Sequence, residues 1–183
     1  MKRRFWWGMA QLGVLVVALS MGALAQGSQS TRFSGLLNDY SPASVSGPWE
    51  VRGEWSLQLN GNSGKAQFSA VLTMERSDEG VLLNGGGDFE TGAGRHAHTH
   101  HITLRDATVT ALPNGFRVTG TASVAGNGNP PPNFDISSPI TVDITGGSIV
   151  PYANIHLSFG APASSHFGSL AFSGVVQNVK QDD

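Results

Sequence analysis

The chain contains no cysteine, and this absence narrows what can hold the protein together. Without thiols it forms no disulfide, and it has no cysteine that could carry a lipid anchor. Its stability must therefore come from a buried apolar core. Residues 26–183 are enough for a single domain that buries most of its apolar surface.

Lysine is also scarce. Apart from Lys2, the chain has only Lys65 and Lys180. No basic patch alternates with aromatic residues, as a surface for nucleic acid would require. We therefore predict no nucleic-acid partner, and for the same reason no attraction to an anionic membrane surface.

The N-terminus has the pattern of a secretory signal peptide. Residues 2–4 are basic, an apolar stretch covers 5–19, and Ala23-Leu24-Ala25 supplies the small residues that a signal peptidase accepts. The pattern predicts a signal peptide over residues 1–25 and a mature chain beginning at Gln26. Cleavage would remove three positive charges and leave the protein more acidic than its formal net charge of −2. We expect an exported protein, periplasmic or secreted, without stable membrane insertion after cleavage.

No segment after Gln26 shows a helical period of apolar residues, whereas several show the two-residue period of strands. Trp49, Val51, Trp55, Leu57 and Leu59 alternate with polar residues, which predicts a strand with the two tryptophans on its apolar face. Residues 60–64, Asn-Gly-Asn-Ser-Gly, are typical of a turn. Apolar and polar residues alternate again from residue 66 to residue 74, which predicts a second strand that forms a hairpin with the first.

Similar segments along the chain predict an all-β fold, an antiparallel meander closing into a barrel of about 8–10 strands. A two-sheet β-sandwich is the alternative. An outer-membrane barrel is disfavoured because the chain lacks aromatic girdles. Phe-Ser-Gly occurs at 33–35 and at 172–174, as two terminal strands pairing to close a barrel would explain. The predicted organisation is a lead-in over 26–47 with a short strand, an all-β domain over 48–179 and a polar tail over 180–183.

The histidine-rich segment is predicted to form a strand that runs to Leu104, and the residues from Ala107 to Leu112 are predicted to form a separate strand. The last strand is predicted to present Leu170, Phe172, Gly174 and Val176 on one face.

The most unusual chemistry lies in residues 95–105, which hold four of the six histidines. On a strand alternate side chains share a face, so His96, His98 and His100 would align with Ile102 and Leu104. His101 would face the other way. A His-x-His pair on a strand can bind one metal ion, and neutral imidazole suits Zn and Cu.

Three histidines in a line cannot all bind one ion, because the outer two lie roughly 13 Å apart. A site would therefore use two of them and a donor from elsewhere. The predicted metal ligands are therefore drawn from His96, His98 and His100 and completed by His156. Other candidate donors are His166, Asp88, Glu90 and Glu54. At the unperturbed histidine pKa, metal affinity would fall as the pH drops through about 6.5.

Catalytic motifs are missing from the sequence. No Gly-x-Ser-x-Gly elbow occurs, and the adjacency of Ser165 and His166 does not make a triad. The favoured hypothesis is an exported β-barrel that binds a small molecule or a metal ion, without a catalytic role. The alternatives are a metal-dependent enzyme that uses the histidine strand and a non-catalytic structural or interaction protein of the cell envelope.

Overall fold

A computed structural model describes residues 30–41, 49–76, 98–128, 134–146 and 153–182. These residues form one closed antiparallel barrel in which each strand pairs with the next along the chain. The predicted meander barrel is thus confirmed, and the sandwich is not the fold. The strands are β1 Ser30–Ser41, β2 Trp49–Asn60, β3 Lys65–Arg76, β4 His98–Leu112, β5 Gly115–Gly128, β6 Phe134–Thr145, β7 Asn154–Phe159 and β8 Phe172–Asp182.

The first and last strands close the barrel. Gly35 of β1 lies opposite Val176 of β8, and Leu37 lies opposite Gly174, so the two Phe-Ser-Gly segments do lie on paired strands. β1 covers more than the short strand predicted around residues 33–37. β8 also continues through Lys180, which the sequence had placed in a polar tail. Both termini of the described chain therefore belong to the barrel wall.

The two tightest connections lie at one end of the barrel. A 3-10 turn over Gly61–Ser63 joins β2 to β3, and Gly64 follows with a φ of 62°, which glycine adopts without strain. The turn Pro113-Asn114 joins β4 to β5. We call this the hairpin end, and we call the opposite end, where β4 begins at His98, the histidine end.

The segments predicted as two strands around residue 105 are a single strand with a bulge. Across β4, Leu104 lies opposite Phe68 but Ala107 lies opposite Ala66, so β4 has one more residue than its neighbour. Asp106 in the bulge has a φ of 54°. The extra residue moves the apolar positions from even to odd numbers, and this shift resembles a strand end in the sequence.

The barrel interior is an apolar core to which all eight strands contribute. Trp49 and Trp55 are buried in it, as predicted. Gly53 also faces inward, where a Cβ atom would collide with the carbonyl oxygen of Val71, so the wall can curve tightly there. Leu170, expected on the last strand, is 60% exposed because it precedes β8.

The connection from β7 to β8 lies at the histidine end. Residues 160–171, which we call the capping segment, contain the one-turn helix α1 Ser164–Phe167. None of the helices within the described ranges has the length and apolar character needed to cross a membrane.

Candidate metal centre

Two histidines of β4 face the barrel interior at the histidine end. His100 is 1% exposed, and Ile102 and Leu104 follow it on the inner face, as the alternation predicted. His98 is half-buried at the start of the strand, whereas His101 is exposed on the outer face. In the sheet His100 lies between Leu72 of β3 and Gly126 of β5. The wall of the barrel thus determines the direction of both imidazoles.

The capping segment supplies a third histidine, His166. The Ser138 hydroxyl donates to the carbonyl oxygen of Gly160 at 2.8 Å and accepts from the backbone N–H of Ala163 at 3.2 Å. Phe167 is buried and stacks on Phe159, with ring centroids 4.1 Å apart and planes 10° from parallel. These contacts fix α1 across the barrel end and place His166 next to His98 and His100.

The three imidazoles meet through their Nε2 atoms. The Nε2 of His166 lies 3.1 Å from that of His98 and 2.9 Å from that of His100. One donor nitrogen from each of the three residues lies within 4.8 Å of the others. Three nitrogens bound to one tetrahedral Zn²⁺, at about 2.0–2.1 Å each, lie about 3.3–3.4 Å apart. To bind one such ion, the rings would move so that the separations of 2.9 and 3.1 Å widen and all three separations become similar.

Burial keeps two of the three rings neutral. Burial, followed by the charges of the nearby His166 and His98, lowers the pKa of His100 from 6.5 to about 3, while a hydrogen bond with the Ala125 backbone opposes the change. Burial, followed by the charge of His98, lowers the pKa of His166 to about 4. Near neutral pH both rings are uncharged, which is the form that binds metals.

The Nε2 atom of His166 has two imidazole partners and one proton or lone pair to share between them. In either tautomer, the Nε2 atom of His166 has one proton or one lone pair, and it faces two other Nε2 atoms. A single proton or lone pair cannot form two well-directed hydrogen bonds at once. A metal ion at the centre would accept a lone pair from all three nitrogens.

Aromatic side chains surround the three histidines. The Trp49 ring meets His98 edge to face, with centroids 4.9 Å apart, and Phe167 meets His100 in the same way at 4.8 Å. Such walls exclude water from the buried side of the site and strengthen electrostatic interactions there.

The structure brings together only part of the predicted ligand set. His98 and His100 are in the cluster, whereas His96 lies outside the described residues. His156 is not in the cluster: it faces outward on β7, and its Nδ1 lies 3.5 Å from the Ser173 hydroxyl. Ile155 and Leu157, its neighbours in sequence, face inward, so strand alternation places His156 on the outer face.

Among the other candidate donors that the structure describes, His166 joins the cluster and Glu54 does not. Glu54 is exposed on the outer face of β2, and Asp88 and Glu90 lie outside the described residues. No periodic signal marks His166, because it lies on a single helical turn rather than on a strand. Only the folded position of the capping segment identifies it.

Comparison with known proteins gives no relative on which to base a function, because no protein-family model, curated protein or solved structure matches the chain. A functional assignment therefore depends on the geometry of the site itself.

Proposed function

We propose that the protein is a metal-binding β-barrel in which His98, His100 and His166 bind one divalent transition-metal ion, Zn²⁺ or Cu²⁺. The observation that carries this proposal is the convergence of three Nε2 atoms, with separations of 3.1 and 2.9 Å from the central one. Calcium and magnesium prefer oxygen donors, whereas imidazole nitrogen suits zinc and copper.

The position of the ligands supports one binding site that is largely formed before the metal arrives. Two donors come from one strand of a closed barrel, and the third comes from a helix that is packed on the core through Phe167. Little chain ordering would then oppose binding. The lowered pKa values of His100 and His166 also mean that no proton needs to leave those rings near pH 7.

The test is a titration of the purified protein with zinc and copper at pH 7.5, against a competing chelator. We expect one ion per chain. Substitution of His98, His100 or His166 by Ala should weaken binding by about a hundredfold, since each removes one of three protein ligands. His156→Ala is the matched control, because it removes a histidine outside the cluster, and binding should not change. Full affinity in His166→Ala, or a large loss in His156→Ala, would contradict the proposal.

A metal-dependent enzyme is the second candidate, favoured by the number of protein donors. Catalytic zinc sites commonly have three protein ligands and leave a fourth position for water. Zinc-loaded protein should then hydrolyse an activated ester such as 4-nitrophenyl acetate faster than the metal-free protein does. Equal rates would leave metal binding without catalysis.

We also propose that the chain is exported, on the basis of its basic N-terminus, its apolar stretch and the Ala-Leu-Ala sequence at 23–25. Protein recovered from the periplasm or medium of an expressing bacterium should begin at Gln26. Mass spectrometry that finds an intact Met1 in that fraction would rule out cleavage at this site.

A further inference from the structure

A groove of about 440 Å³ lies on the outer wall of the barrel and crosses strands β1 to β4. Small hydroxyl side chains form its floor: Ser56 of β2 lies opposite Ser69 of β3, which lies opposite Thr103 of β4. The two serine Oγ atoms are 2.8 Å apart. Longer side chains stand at its sides, Arg32 from β1 and Arg105 from β4. The wall thus contains a polar depression flanked by two positive charges.

These two arginines differ from the ion-paired arginines of the barrel surface. Arg52 forms salt bridges with Glu50 and Glu75, at 3.0 and 3.1 Å. Arg117 binds both carboxylate oxygens of Asp143, each at 2.7 Å.

Around the groove the positive charge is not balanced in this way. Arg32 contacts the neutral side chain of Gln58, at 3.4 Å. Among the described residues, those that line the groove include no Asp or Glu. The groove lining thus holds two arginines and no carboxylate, while Asp106 follows Arg105 just outside that lining.

The bulge of β4 lies at the edge of this groove. Arg105 and Asp106 are consecutive exposed residues between the buried Leu104 and Ala107, and Asp106 has a φ of 54°. Bulges bend a strand and redirect its side chains, and they are frequent beside functional sites. Here Arg105 keeps the outward direction that alternation gives it, and the bulge adds Asp106 beside it at the edge of the groove.

We propose that this groove binds an oxyanion, phosphate or sulfate, carried by a polar small molecule of the size of a sugar. Guanidinium groups pair with oxyanions through two parallel hydrogen bonds, which makes arginine the usual residue for this recognition. The groove is larger than one oxyanion needs. The hydroxyls of its floor and the amide of Gln67 can donate and accept, as the hydroxyl groups of a sugar require.

The site is independent of the metal centre, because its side chains face outward from the barrel wall while the three histidines gather at the histidine end. Binding should therefore be the same with and without metal, and unchanged in His166→Ala. This separates a failure of the oxyanion proposal from a failure of the metal proposal.

The experiment is calorimetric titration of the purified protein with glucose 6-phosphate, inorganic phosphate, inorganic sulfate and glucose at low ionic strength. We expect saturable binding of glucose 6-phosphate, weaker binding of the two inorganic ions and none of glucose. Arg32→Gln and Arg105→Gln should each weaken glucose 6-phosphate binding by at least about tenfold. Both arginines are exposed, so melting temperatures should remain as in the wild type.

The matched control is Arg117→Gln, which removes the same charge from the outer face at a different place. It should change the affinity by less than about twofold, since distant exposed charges are screened. An equal loss in Arg117→Gln would overturn the proposal and indicate general attraction to positive charge. Absence of saturable binding of any phosphate or sulfate would overturn it too, as would glucose binding that persists in both arginine variants. Equal affinity for inorganic phosphate and glucose 6-phosphate would show that the groove recognises the oxyanion alone. It would refute the proposal that the ligand is as large as a sugar.

Discussion

The middle of the barrel and its histidine end both bury large side chains, but they do so with opposite chemistry. In the middle, the aromatic rings of Trp55 and Phe68 stack with centroids 6.4 Å apart, and Leu57 is buried beside them on β2. At the histidine end, His100 is buried to the same degree, with two further imidazoles in contact with it. One strand, β4, contributes to both regions, through Leu104 and His100.

The difference shows which region contributes stability under all conditions and which depends on conditions. Burial of apolar surface stabilises the middle at any pH, at about 25 cal/mol per Å². The histidine end is stable only while its imidazoles remain neutral or share a cation, because charging a buried group is unfavourable. A region whose stability depends on protons and ions is the natural place for a function that depends on them.

The largest effect should come from the apolar middle. Trp55→Ala removes a fully buried aromatic side chain and should lower the free energy of unfolding by about 3–5 kcal/mol. Trp55→Phe is the matched control, because it keeps a six-membered aromatic ring and removes only the pyrrole part of the indole with its Nε1 atom. The indole Nε1 is buried without a hydrogen-bond partner in the described structure, so losing it removes no bond. Urea unfolding measures both variants, and a loss below about 1 kcal/mol in Trp55→Ala would contradict the burial of this residue.

The next effect is acid destabilisation of the metal-free barrel through His100. Folding lowers its pKa from 6.5 to about 3, so between these values the unfolded chain binds a proton that the folded chain does not. Stability must then fall as the pH drops below about 6.5, by about 3 kcal/mol at pH 4 for this one group.

Carboxylates also titrate in this range, so the informative quantity is a difference between variants. His100→Leu fills the same buried site without a titrating group, and its stability should depend less on pH by about that amount. Urea unfolding of both proteins at pH 7 and pH 4 gives the comparison. Equal pH dependence would show that His100 titrates normally in the folded protein.

Metal binding should then raise the stability of the histidine end. An ion that binds only the folded state at a hundred times its Kd adds about 2.7 kcal/mol of stability. We expect this gain for zinc with the wild-type protein and none with His166→Ala, measured by urea unfolding at pH 7.5. The lowered pKa values of His100 and His166 mean that protons compete with the metal for these two rings only well below pH 6.5. No gain with zinc at pH 7.5, or an equal gain in His166→Ala, would contradict the proposed site.

The same contrast explains how far the sequence predicts the fold. Alternation at residues 49–59 and 66–74 identifies buried positions on regular strands, because the period of two is a local property of the chain. It fails at Asp106, where an extra residue changes the parity within one continuous strand. It also fails at Leu170, an apolar residue that precedes the strand it was assigned to. Such features depend on pairing with neighbouring strands, which a single segment does not reveal.

The sequence likewise predicts some residues of the candidate site correctly and not others. The inward direction of His98 and His100 follows from their spacing to Ile102, so the sequence predicts it correctly. His156 could have been placed outside by the same rule, because Ile155 and Leu157 lie on the opposite face of its strand. His166 could not be predicted from any period. Its position depends on the packing of Phe167 against Phe159 and on the hydrogen bonds of Ser138, which are contacts between distant parts of the chain.

The smallest effects should come from the histidines that lie outside the cluster. His101→Ala changes an exposed side chain on the outer face of β4, and His156→Ala changes a partly buried side chain on the outer face of β7. Each should alter the free energy of unfolding by no more than about 0.5 kcal/mol, as is usual for surface positions. Since neither ring lies among the three converging imidazoles, neither substitution should change the zinc affinity or the zinc-dependent gain in stability.

His101 is the more demanding control, because it is adjacent to His100 in sequence and differs from it mainly in the direction of its side chain. A loss of zinc binding in His101→Ala equal to that in His100→Ala would mean that the histidine-rich segment attracts metal as a flexible chain would. A loss of zinc binding that is confined to substitutions of His98, His100 and His166 would show that zinc binds to the inner face of the folded barrel.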